Sequence, residues 1–230
     1  MPGGALAALA VEDEGGKVDL NTAPPKLLAV LLRGFGADFD EADRLAAAIA
    51  EFSHPSTSRT LDHAAFQAYG ADGRSYGPKK APFEAALELD QVLGMRSDLF
   101  RAVLPHVTVH SRKPRIDPRV AHPALLAALA GRDPQTVTEL SRRPTAFHDR
   151  ESLMGIPVEF LTASNGRSFL IHVEVRTPAG GLFAQEAIVE LTAEPTPEVL
   201  REWRRGNMRF AALLEPAAQQ QAVSNAWPPC

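Results

Sequence analysis

Two stretches of the chain carry the same order of polar and apolar positions. VDLNTAPPKLLAVL runs from Val18 to Leu31, and IDPRVAHPALLAAL runs from Ile116 to Leu129. They align without a gap: Asp19 with Asp117, Ala23 with Ala121, Pro25 with Pro123, and Leu27, Leu28, Ala29 and Leu31 with Leu125, Leu126, Ala127 and Leu129. Each predicts a polar turn that opens a leucine-rich helix. Proline suits the first turn, where backbone N–H groups have no intrahelical partner and a fixed φ already matches the helix. Asn21 or Thr22 is the candidate N-cap of the first helix, and Asp117 that of the second.

The first helix ends at RGFG, where Gly34 or Gly36 can take a left-handed C′ position. A second helix begins near Asp40, with acidic residues in its first turn, and Leu45, Ala48, Ile49 and Phe52 recur at helical spacing to give one apolar stripe. SHPSTSRT is a polar loop, LDHAAFQAYG a short helix, and GADGRSYGPKKAP a run of turn formers. EAALELDQVLG and RSDLFRAVLP read as short helices stopped by Gly94 and Pro105. VTVHS reads as a short strand or a linker, the repeated helix stops at Gly131, and DPQTVTELSRR follows as a helix with Asp133 as cap and Pro134 at its first position.

Beyond Pro157 the period changes from helical to alternating. In RSFLIHVEVRT, Phe169, Ile171, Val173 and Val175 point one way, and Leu170, His172, Glu174 and Arg176 the other. Asn165-Gly166 after VEFLT is a hairpin turn signal, LFAQEAIVEL is a further strand, and TPEVLREWRR reads as a short amphipathic end. At the N-terminus, Ala7–Val11 reads as a strand that returns through the acidic EDEGG turn as Lys17–Leu20. The fold class is therefore α+β. A helical block from Thr22 to Gly155 is flanked by strands, an arrangement in which one sheet joins the chain ends and the helices are an insertion. AAQQQAVSNAWPPC closes a poorly ordered tail, 206–230.

Composition narrows the function classes. The 230 residues are 45% hydrophobic and 23% charged with a formal charge of −4, which is no basic field for a polyanion. Cys230 is the lone cysteine, so an internal disulfide or thiolate cluster is excluded. The apolar run Ala5–Val11 lacks a basic n-region and falls far short of the roughly 20 residues that span a bilayer, so the chain as it stands reads as soluble.

Candidate chemistry is sparse. GRSYG, Gly73 to Gly77, matches the G-x-S-x-G pattern of a nucleophile elbow, but no strand precedes Ser75 and no suitable helix follows. His54, His63, His106, His110, His122, His148 and His172 show no zinc spacing and read as surface or half-buried residues. Asp62, Asp72, Glu84 and Glu88 surround the glycine-rich segment and are candidate oxygen ligands for calcium, against the plainer reading of solvated carboxylates. Helix, LLRGFG, helix resembles a helix-hairpin-helix unit, whose turn offers N–H groups to nucleic-acid phosphate. Here Arg33 stands alone against Asp38, Asp40, Glu41 and Asp43, so packing is the better reading and nucleic-acid binding the alternative.

Taken in order, DEGGKVDLNTAPPKLLAVLL, YGPKKAPFEAALELDQVLGM, PHVTVHSRKPRIDPRVAHPALLAAL and the hairpin strands ending in EVLREWRR resemble the K-type minor pseudopilins of type II secretion (general secretion pathway protein K). The likeness covers Val11 to Arg205, and DLNTAPPKLL and ELDQVLGM are its most specific pieces. It implies a pseudopilin-like antiparallel sheet, 1–21 and 158–205, interrupted by an inserted helical domain, 22–157, with helix-hairpin-helix-like units. It also implies a structural, non-enzymatic role at the pseudopilus tip, with I- and J-type minor pseudopilins as partners, at the periplasmic face of the inner membrane. Calcium can be carried by the helical domain of this family, but the acidic run after the second helix is replaced here by SHPSTSRT. This family has a prepilin leader and reaches the membrane through an apolar N-terminal helix, and this chain shows neither: either Met1 is an internal start, with an in-frame apolar segment of roughly 20 residues upstream, or the chain is a truncated, soluble relative.

Overall fold

The computed structural model describes residues 4–55, 59–133, 135, 137, 155–192 and 198–210. The chain divides into two compact units, one of Met1–Asp13 with Gly166–Cys230 and the other of Glu14–Asn165.

The first unit is an antiparallel sheet in the order β1-β4-β5-β6, with β1 Leu6–Asp13, β4 Ser168–Arg176, β5 Leu182–Leu191 and β6 Glu198–Arg205. The expected N-terminal hairpin does not form. β1 instead pairs along its whole length with β4, from Leu6 opposite Arg176 to Asp13 opposite Phe169. EGG is a 3-10 turn whose Gly16 lies so close to the Val120 backbone that a Cβ would sit 2.5 Å from its carbonyl oxygen; the turn is fixed by that approach and not by a hairpin. EVLREWRR, read as an amphipathic end, is a strand, because β5 offers it a ladder from Leu191 to Gln185. A register shift interrupts that ladder at Ile188/Val189.

The second unit holds α1 (Pro25–Gly34), α2 (Phe39–Ser53), α3 (Arg59–Ala71), α4 (Ser97–Val103), α5 (Pro123–Ala130) and a two-residue parallel pair, β2 (Val18–Asp19) with β3 (Val107–Thr108). One apolar core takes Leu27, Leu28, Leu31 and Leu32 of α1, Leu45, Ile49 and Phe52 of α2, and Leu125, Leu126 and Leu129 of α5. The stripe expected of α2 is present, with Ala48 at its partly buried margin.

The repeated motifs fold alike but not through the expected caps. Pro24 occupies the N-cap of α1 without a side-chain bond, and Asn21 instead brackets the Phe83 backbone, accepting from its N–H at 2.8 Å and donating to its carbonyl at 2.9 Å. On α5 the cap is His122, whose Nδ1 accepts the Ala124 N–H at 3.1 Å. Asp19 and Asp117 lie too far upstream to cap. Each is buried, and each backbone carbonyl accepts the N–H groups three and four residues on, Thr22 and Ala23 in one copy and Val120 and Ala121 in the other. Their carboxylates reach outward: Asp19 accepts from Ser111 Oγ and the Arg112 N–H, and Asp117 from the Ser164 N–H and the Arg119 guanidinium.

Asp38, two residues before the expected start at Asp40, caps α2 by accepting the Glu41 N–H at 2.7 Å. Gly34 ends α1 and Gly36 takes the positive φ of +106°. EAALELDQVLG forms a 3-10 helix over Ala86–Gln91 in place of an α-helix. After VEFLT no hairpin forms: Val158–Phe160 is a 3-10 turn, and Leu161 bridges in parallel to Ile116. Most of the expected DPQTVTELSRR helix, and the tail beyond residue 210, lie outside the described residues.

Candidate functional site

Residues directly opposite in paired strands share a face, so the sheet registers define its two surfaces. Val11, Ile171, Ala187 and Trp203 form one row, and Leu9, Val173, Gln185 and Arg205 the next, followed by Ala7, Val175 and Phe183. This face is apolar yet open: Leu9 and Trp203 are each 66% exposed and Phe183 59%. Exposed apolar side chains set side by side in this way are common at interaction faces in general.

The opposite face is the covered one, although it carries the charges. Its central row is Ala10, His172, Glu186 and Arg204. His172 and Glu174 are fully buried, and Glu186 is buried. The His172 ring meets a carboxylate at both nitrogens, Glu186 Oε1 at 3.0 Å from Nδ1 and Glu174 Oε1 at 2.8 Å from Nε2. Arg204 donates to Glu186 at 2.7 Å and to Glu202 at 2.6 Å.

Burial works to raise both carboxyls, but their donors outweigh it. Glu174 is held below the ordinary glutamate range by the Arg209 N–H, His172 and the Phe210 N–H, and Glu186 by Arg204, His172 and Arg209. Reading the histidines as surface or half-buried missed this site. The available signal was H-V-E at strand spacing, which sets an imidazole and a carboxylate side by side on one face.

Those of the other candidates whose side chains are described are not gathered into a site. Asp62 lies on α3 with its side chain outside the described residues. Asp72 accepts from Arg74 at 2.9 Å, Glu88 from Lys79 at 2.8 Å and from the N–H groups of Glu84 and Ala85, while Glu84 is exposed 3.8 Å from Lys79. Carboxylates paired with cations in this way do not fit an oxygen cage for calcium, and among the described residues no group of three or more acidic, histidine or cysteine side chains could hold a metal ion. Ser75 is exposed in a bend after α3, without the strand-to-helix elbow its motif requires. At the α1–α2 hairpin, Arg33 stacks on Phe39 at 4.8 Å, and Asp38 is spent on its cap. His106 is buried against Phe35 at 4.7 Å, and His148 is outside the described residues.

Among the described residues no helix is long and apolar enough to cross a membrane. No curated protein matches the chain. Its fold is similar to that in the crystal structure of the GspK-GspI-GspJ complex from the enterotoxigenic Escherichia coli type 2 secretion system, with a TM-score of 0.66 and 15% identity over 89% of this chain and 81% of that one. Residues 6–112 match the family model described as type II secretion system (T2SS), protein K. That matched segment spans β1, the 3-10 turn and the first of the two proline-led helices.

Proposed function

We propose that this protein is a K-type minor pseudopilin, a structural subunit at the tip of the type II secretion pseudopilus that assembles with I- and J-type minor pseudopilins at the periplasmic face of the inner membrane. In this reading the four-stranded sheet is the pseudopilin-like body, and the helical block, 22–157 by sequence pattern, is an inserted domain whose proline-led hairpins serve packing. A bulky head that admits subunits below it and none above ends a head-to-tail assembly. The observation that carries the reading is the coincidence of the protein K match over residues 6–112 with a fold shared along 89% of the chain. The open apolar face of the sheet supports a subunit of an assembly.

The test is reconstitution. Mixed with the soluble domains of I- and J-type minor pseudopilins, the chain is expected to co-elute with them as a ternary complex in size-exclusion chromatography, and to pass through immobilised duplex DNA at low salt. Elution as a free monomer at micromolar concentrations of all three would overturn the assembly reading. Salt-sensitive retention on DNA would favour the helix-hairpin-helix alternative instead.

A further inference from the structure

After β6 the chain turns back across the covered face of its own sheet. The Gly206 N–H donates to the Ala184 carbonyl at 3.1 Å. The N–H groups of Arg209 and Phe210 both donate to Glu174, and the Arg209 guanidinium reaches Glu12 at 2.8 Å and Glu186 at 3.1 Å. Phe210 sets its edge to the His172 ring at 5.6 Å between centroids. Gly206 passes so close that a Cβ there would lie 3.1 Å from both His172 Cε1 and Glu186 Cγ. Residues 206–210 are thus a strap, held by the same two carboxylates that hold His172.

Ionised carboxylates only accept hydrogen bonds, so the ring satisfies Glu174 and Glu186 together only when both of its nitrogens carry protons. A neutral ring turns one lone pair toward a buried carboxylate oxygen, and that carboxylate is the strap's anchor. Charged groups approach from every strand: Glu174 and, further along, Arg176 from β4, Glu186 from β5, Arg204 and Glu202 from β6, Glu12 from β1, and Arg209 from the strap.

We propose that Gly206–Phe210 is a protonation-gated strap: docked on the sheet while His172 is an imidazolium clamped between Glu174 and Glu186, and released when the ring loses a proton. The gate stands independently of the secretion reading, since all its parts lie within this unit.

Hydrogen exchange across a pH series, corrected for intrinsic rates, tests the gate, with the ring's titration followed by NMR in the same sample. One linked proton predicts that strap protection falls by up to about tenfold per pH unit between the titration midpoint of the undocked ring and that of the docked ring, and is level on either side, while β4 and β5 amides stay protected. His172→Gln is expected to leave the strap unprotected and indifferent to pH over that range. Arg209→Ala, which leaves the sheet pairing intact, is expected to loosen the strap and keep the protection of β4, and it serves if the His172 variant does not fold. Strap protection that ignores the imidazole titration in the wild-type chain overturns the proposal, as does a single-proton ring in the docked state.

Discussion

Asp19 and Asp117 occupy equivalent places in the two repeats, and their burial gives each more weight than a cap. Asp117 ties the turn before α5 to Ser164, and Arg119 with the Ser164 N–H holds its carboxyl below the ordinary aspartate range although burial alone would raise it. Asp117→Ala strands those donors, and we expect a loss of about 3 kcal/mol, measured by urea unfolding. The pH dependence follows in sign. With the folded-state value depressed, the contribution is complete above the ordinary aspartate range and fades as pH falls through the lower folded value. Asp117→Asn should therefore flatten the acid limb of the stability curve, and an unchanged limb would mean that the ion pair contributes nothing. The aspartates were legible in the sequence as a repeated polar position, but their role was not: a cap is local, whereas Ser111, Arg112 and Ser164 are brought to them by tertiary folding.

At the scale of elements, the proline-led helices were readable because proline's fixed φ and missing N–H act within one turn. The packing of α1 against α5 was not. Gly34 shows why, since a Cβ there would meet the Ala128 carbonyl oxygen at 2.5 Å and its Cβ at 2.6 Å. A residue read as a helix terminator is also the point of closest approach between the two repeated helices. Gly34→Ala should cost roughly 1–3 kcal/mol in thermal unfolding, because the obstacle includes backbone and cannot swing away. The strands give the complementary lesson. Alternation over Phe169–Arg176 set the two faces correctly, since a period of two is intrinsic to extended chain, but it could not say that the charged face would be the covered one.

For the whole molecule, that inversion leaves Leu9, Val11, Phe183 and Trp203 open to solvent. Replacing Leu9, Val11 and Trp203 together by serine should change stability by less than about 0.5 kcal/mol per site, while binding of a hydrophobic dye and self-association in light scattering both fall. A large drop in melting temperature instead would show the face to be part of the folded core. The chain's own pattern determined the repeat, the proline-led helix starts, the α2 stripe and the strand periodicity, because each rests on sterics and hydrogen bonding among residues a few positions apart. Tertiary structure alone decided which strand β1 pairs with, which sheet face is covered, and that His172, Glu174, Glu186 and Arg209 meet. Those choices depend on contacts between residues far apart in the chain, for which periodicity carries no information.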